Sequence, residues 1–186
     1  LTECSPFASY NHDTAFRAGS IGTPIENVEM KVADPDTGGD IGDGELGEIL
    51  IKGPNVMRGY FRNPEATAQT VRGGWLHSGD IGYRDTDGYF FVVDRVKDMI
   101  NVSGFKVFPR EVEEVLFEQP SVREVAVVGA PDPVKGESVK AFVVLKEGCE
   151  ADAESLRAMC RGRIASYRVP EAVDFIAALP KSPTGK

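Results

Sequence analysis

Cysteine is scarce in this chain. Its three residues, Cys4, Cys149 and Cys160, are odd in number and show no C-x-x-C spacing. That speaks against a disulfide framework and against a thiolate zinc site, and a reducing compartment is the simpler setting. Positive charge is also in deficit: 21 Lys and Arg stand against 29 Asp and Glu, a net charge of −8. This balance disfavours general nucleic-acid binding, yet a few cations suffice to hold one small anionic substrate. No apolar run reaches the length of a transmembrane helix, and no signal-peptide pattern is visible. The G-x-x-x-x-G-K spacing of a P-loop is missing as well.

What remains is an ordinary soluble balance. The 186 residues, 41% hydrophobic and 27% charged, allow a sizeable core in one or two domains. With 20 Gly and 12 Pro, turns and tight loops should be frequent. The two halves differ in charge. Residues 1–94 carry 15 acidic and 7 basic side chains, whereas residues 95–186 carry 14 of each.

Hydrophobic patterning divides the chain in the same way. After a polar, irregular lead-in over 1–19, Val28, Met30 and Val32 alternate with charged residues as in a half-buried strand. A glycine- and acid-rich loop over 34–47 follows. Strands are predicted over 48–53, 57–61 and 89–93, and a short helix from Pro64, capped by Asn63 and ended by Gly73-Gly74. Beyond Asp94-Arg95-Val96-Lys97-Asp98 the pattern changes. Ser103-Gly104 reads as a tight hairpin turn. A helix opens at Pro109, with Val112, Val115 and Leu116 on one apolar face. Strands over 122–129 and 139–145 are joined through Pro131-Asp132-Pro133. A second helix is predicted over 152–165, with Leu156, Met159, Cys160 and Ile164 facing inward, and a last strand over 173–176.

Several short segments carry residue types suited to chemistry. Thr2-Glu3 sets a hydroxyl beside a carboxylate, hard oxygen ligands that suit a phosphate and its Mg²⁺. In Gly74-Trp75-Leu76-His77-Ser78-Gly79-Asp80, Gly79 frees the backbone, and Asp80 can accept hydrogen bonds from two neighbouring hydroxyls such as a ribose diol. His77 reads as structural. Arg95 can fork onto hydroxyls or phosphate, and its charged surroundings suit a hinge. Gly104 allows close approach of backbone to a ligand. Lys186, after Pro183-Thr184-Gly185, offers a point charge to developing phosphoryl oxygens. Taken singly, each segment reads more readily as a cap, a turn, a linker or a polar tail.

Their order is more specific. Leu1-Thr2-Glu3-Cys4, Gly47-Glu48-Ile49, Val56-Met57-Arg58-Gly59-Tyr60, Gly74 to Asp80, the run from Val92 to Glu113, and Pro180 to Lys186 together resemble the adenylate-forming superfamily of acyl-CoA synthetases, luciferases and peptide-synthetase adenylation domains. Within it the long-chain fatty acid–CoA ligases are most similar, and the resemblance covers essentially the whole chain. It implies a carboxyl-terminal fragment of a larger ligase, inactive alone because the glycine-rich phosphate loop, the adenine site and the acyl tunnel lie upstream.

The implied fold is mixed. A β-rich, distorted-barrel subdomain over 1–94, the last part of the large adenylation domain, is followed over 95–186 by a small mobile α+β domain with an antiparallel sheet flanked by helices. The resemblance also implies roles for particular residues. Thr2 touches phosphate and Glu3 binds Mg²⁺. Asp80 and Arg95 hold the ribose of ATP or AMP, with Ser78 in place of the family's usual threonine. Lys97 is the hinge, where many relatives carry aspartate. Gly104 lines the pantetheine path, and Lys186 is the catalytic lysine of adenylation. The implied partners are ATP, coenzyme A and a fatty acid, with no nucleic acid, in a cytoplasmic enzyme. Peripheral membrane contact and oligomeric state are left open. So are a shorter or aryl acid as substrate, a carrier protein as acceptor, and a non-catalytic interaction module on the same scaffold.

Overall fold

In a computed structural model of the chain, residues 1–180 are described. Lys186 lies outside them. The chain divides into two compact units, Leu1–Lys97 and a second that begins at Asp98.

The first unit is built on an open five-stranded sheet. Strand β3 (Glu29–Ala33) pairs antiparallel with β4 (Gly47–Lys52), setting Met30 against Ile51 and Val32 against Ile49. The alternation in sequence sends Val28, Met30 and Val32 inward, where they join Ile49, Ile51, Leu76 and Phe90 in one core. The long strand β6 (Trp75–Arg84) lies beside β4; its other edge pairs with β5 (Val71–Arg72) and with β7 (Phe90–Arg95). Open edges distinguish this sheet from a closed barrel.

The lead-in is more ordered than its composition suggests. A 3-10 turn (Thr2–Cys4) precedes β1 (Ser9–Tyr10), which pairs with β2 (Thr23–Pro24). Arg17 ties this segment to the β6–β7 hairpin through Asp85 and Asp87, each at 2.6 Å.

Two local expectations are corrected. Residues 57–61 form no strand, because their backbone bonds go elsewhere: Met57 N–H donates to the Glu3 carbonyl at 2.8 Å, and Tyr60 N–H to Thr67 Oγ1 at 2.9 Å. Helix α1 (Pro64–Thr70) is capped by Asn63 Oδ1, which accepts from Ala66 N–H at 3.0 Å. It stops at Thr70, ahead of the glycines. Gly73 and Gly74, at φ +57° and +81°, instead make the two-residue turn from β5 to β6, a turn that requires positive φ at both positions.

The second unit carries its own five-stranded sheet. Strands β8 (Ile100–Val102) and β9 (Phe105–Val107) flank Ser103-Gly104, with φ +52° and +87°. Helix α2 (Pro109–Phe117) buries Val112 and Leu116 completely, and Val115 in part. A long hairpin joins β10 (Val122–Asp132) to β11 (Gly136–Leu145). Pro131 and Asp132 remain in the ladder, and the turn falls later because Asp132 Oδ1 accepts the N–H groups of Val134 and Lys135, each at 2.8 Å.

Helix α3 (Ala153–Arg161) is capped by Asp152 and ends four residues before the predicted limit of 165, with Ile164 in the turn beyond it. It serves as the crossover to β12 (Ala172–Phe175), which pairs parallel with β11. A parallel pair needs such a long connection. The sheet is therefore antiparallel, as expected, except for this one parallel pair.

Candidate active site

The predicted site residues of the first unit gather around one strand pair. Asp80 on β6 stands opposite Arg95 on β7 in the ladder. Arg95 Nε donates to Asp80 Oδ1 at 3.0 Å, and the two side chains keep 49% and 22% of their surface exposed. The pair is thus formed yet accessible. Its local backbone is unusual. Gly79 takes φ +73° and no atom comes near its absent Cβ, and the Ser78 hydroxyl oxygen accepts the Asp80 N–H at 3.1 Å.

Arg95, Lys97, Glu3, Ser78 and Gly79 line a cleft of about 500 Å³ in the first unit, together with Tyr60 and Arg72. Asp80 and Ser78 border a smaller, more apolar cavity of about 210 Å³. Glu3 is held from two sides. Its backbone carbonyl accepts from Met57, and its carboxylate Oε1 accepts from the Tyr60 hydroxyl at 2.9 Å. A hydrogen bond from its own backbone N–H, then the Tyr60 hydroxyl, with a smaller contribution from the positive charge of Arg95, keep the carboxyl below its ordinary range. The same hydrogen bond raises the Tyr60 phenol. Burial raises the thiol of neighbouring Cys4.

The donor set fits Mg²⁺. This ion takes oxygen ligands, commonly one or two carboxylates plus substrate phosphates. A carboxylate that accepts one hydrogen bond still has lone pairs for a metal, and Thr2 on the same 3-10 turn supplies a hydroxyl. Among the described residues no cluster of three or more His, Cys, Asp or Glu offers a metal cage, so a nucleotide would have to bring oxygens of its own.

Gly104 belongs to the second unit, at the exposed tip of β8–β9, where its N–H donates to Asn101 Oδ1 at 2.8 Å. Open space surrounds the position of its missing Cβ.

Three cleft residues had no functional role assigned from sequence. Tyr60 ends the Val56-Met57-Arg58-Gly59-Tyr60 motif, and its partnership with Glu3 spans 57 positions. Glu48 and His77 lie 2.7 Å apart, Glu48 Oε2 to His77 Nδ1, with Arg72 Nη2 2.8 Å from the same ring nitrogen. The available signal was Glu48 itself, a charge inside the apolar run of β4.

The AMP-binding enzyme model matches residues 1–61, and the AMP-binding enzyme C-terminal domain model matches residues 111–186. The chain belongs to this adenylate-forming family. It is 47% identical, over its whole length, to a long-chain-fatty-acid–CoA ligase of Salmonella typhimurium, of which it covers 33%. It is likewise 47% identical to a feruloyl-CoA synthase of Amycolatopsis sp., over 92% of this chain and 35% of that protein. The crystal structure of ATP-bound MatB from Rhodopseudomonas palustris is similar over 100% of this chain and 37% of the other, at a TM-score of 0.92 and 35% identity. This chain therefore spans about a third of the length of the curated relatives it matches. No helix among the described residues is long and apolar enough to cross a membrane.

Proposed function

We propose that this chain is the carboxyl-terminal part of a long-chain fatty acid–CoA ligase. Residues 1–94 are the end of its large adenylation domain, and residues 95–186 its small mobile domain. The observation that carries the reading is the accessible Asp80–Arg95 pair beside a cleft that also holds Glu3 and Lys97.

In the first step a fatty acid carboxylate attacks the α-phosphate of ATP, and pyrophosphate leaves. Asp80 accepts from the ribose hydroxyls, with Arg95 steadying its carboxylate. Thr2 donates to phosphate. Glu3, kept ionised by its hydrogen bonds, would hold Mg²⁺, which neutralises phosphate charge when bound. Lys186 supplies positive charge to the carboxylate and the transferring phosphoryl group. In the second step the thiol of coenzyme A attacks the acyl adenylate carbonyl and AMP departs. Gly104 serves this step by leaving room for pantetheine, and Lys97 is the hinge between the two conformations. By itself the chain is inactive, since it lacks the family's phosphate loop and acyl tunnel.

An aryl acid as substrate is the second reading, favoured by the feruloyl-CoA synthase of equal identity. The complete enzyme, given ATP and coenzyme A with either palmitate or ferulate, separates the two. Palmitoyl-CoA and AMP should form with much the higher kcat/KM. Preference for ferulate would transfer the proposal to aryl acids, and no AMP or thioester from either acid would overturn it.

A further inference from the structure

Glu48 is the one buried charged side chain among the described residues, 7% exposed, and the chemistry above makes no use of it. Its strand is otherwise apolar from Gly47 to Ile51, so a carboxylate there needs partners. It finds them across the sheet on β6. Oε1 accepts the Gly79 N–H at 3.0 Å, and Oε2 lies 2.7 Å from His77 Nδ1.

The ladder explains why these partners matter. Strands β4 and β6 pair Leu50 with His77, and next Glu48 with Ile81. Residues 78–80 of β6 thus face the single residue Ile49 and bulge out of the ladder. Such bulges re-aim side chains next to active sites. The bulge carries Gly79 at positive φ and ends on Asp80. With the Asp80 N–H already on Ser78 Oγ, the Glu48 carboxylate fastens the Gly79 amide at the middle of the bulge and the ring that precedes the bulge.

We propose that Glu48 is a positioning residue for nucleotide binding. It fixes the 78–80 bulge through Gly79 and His77, and so aims Asp80 toward Arg95 and the ribose. The inference rests on the nucleotide-binding reading of Asp80 given above. In this role Glu48, although it borders the cleft, acts through the bulge backbone rather than by contact with the nucleotide.

The test is made in the complete ligase with Glu48→Gln, Glu48→Ala and Glu48→Thr, beside Asp80→Ala. Glutamine retains an oxygen that can accept the Gly79 N–H. Alanine and threonine do not reach it, and threonine keeps a β-favouring side chain in case alanine fails to fold. The expected result is a rise in KM for ATP of about tenfold for the loss variants, the scale set by removing one buried hydrogen-bond partner. KM for the acid and for coenzyme A should stay unchanged, and Glu48→Gln should remain within about threefold of wild type for ATP. If Asp80→Ala leaves KM for ATP unchanged, the nucleotide reading itself fails. If Asp80→Ala raises it while the Glu48 loss variants lose only thermal stability, or if Glu48→Gln is as damaging as Glu48→Ala, the positioning role is overturned.

Discussion

At the scale of single residues, the first unit keeps its carboxylates in distinct environments. Asp80 is accessible and paired with a guanidinium, Glu48 is buried against an amide and an imidazole, and Glu3 is half-buried and fastened by Tyr60. The first environment suits accepting from hydroxyls, the second suits holding backbone, and the third suits meeting a cation. For Glu3 the electrostatics give a direct prediction. Its folded-state carboxyl is held below the usual value, first by its own backbone hydrogen bond and next by the Tyr60 hydroxyl. Stability from this shift is therefore complete above the ordinary glutamate pKa and is lost as pH falls through the lowered one. Tyr60→Phe removes one of the two leading causes. NMR titration of the Glu3 carboxyl should then show its midpoint move upward, toward the ordinary value. A midpoint that does not move would mean that the Tyr60 bond does not exist in solution.

At the scale of elements, the sequence was most informative where periodicity and caps agree. The alternation through Val28, Met30 and Val32, the Asn63-Pro64 helix start, the Ser103-Gly104 turn and the Val112–Leu116 face all appear in the structure as read. The misreadings arose where long-range bonds override local preference. Residues 57–61 have strand-like side chains, but their backbone partners are Glu3 and Thr67, and no local pattern reports that. Likewise, Gly73-Gly74 could end a helix or turn a hairpin, and the pairing of Val71-Arg72 with Trp75-Leu76 selects the hairpin.

The same limit applies to the site. Asp80 and Arg95 stood out as residues, but a bulge that sets three residues against one is a property of two paired strands. Burial supplies the prediction at this scale. Leu116 is fully buried on α2 in the second unit's core, so Leu116→Ala should cost about 2–5 kcal/mol in that unit. Denaturant unfolding should show a lower midpoint at unchanged slope. A midpoint shift worth less than about 1 kcal/mol would contradict the packing described here.

At the scale of the whole molecule, two units with separate cores divide the residues of the proposed chemistry. The first holds Thr2, Glu3, Asp80 and Arg95, and the second holds Gly104. That division suits a reaction in two steps. One step needs charge at a phosphate, and the other needs an open approach to a carbonyl. Most of this reading was carried by the order of short motifs, since no single motif was decisive.

The central claim, activation of a carboxylate through an acyl adenylate, has a direct isotopic test. Attack of the carboxylate on the α-phosphate places one carboxylate oxygen in the bond to phosphorus. Cleavage of the acyl carbon–oxygen bond by the thiol then leaves that oxygen on AMP. The complete enzyme is supplied with oxygen-18-labelled palmitate, ATP and coenzyme A, and the AMP is weighed by mass spectrometry. The account predicts one labelled oxygen in each AMP released. Palmitoyl-CoA formed together with unlabelled AMP would contradict it.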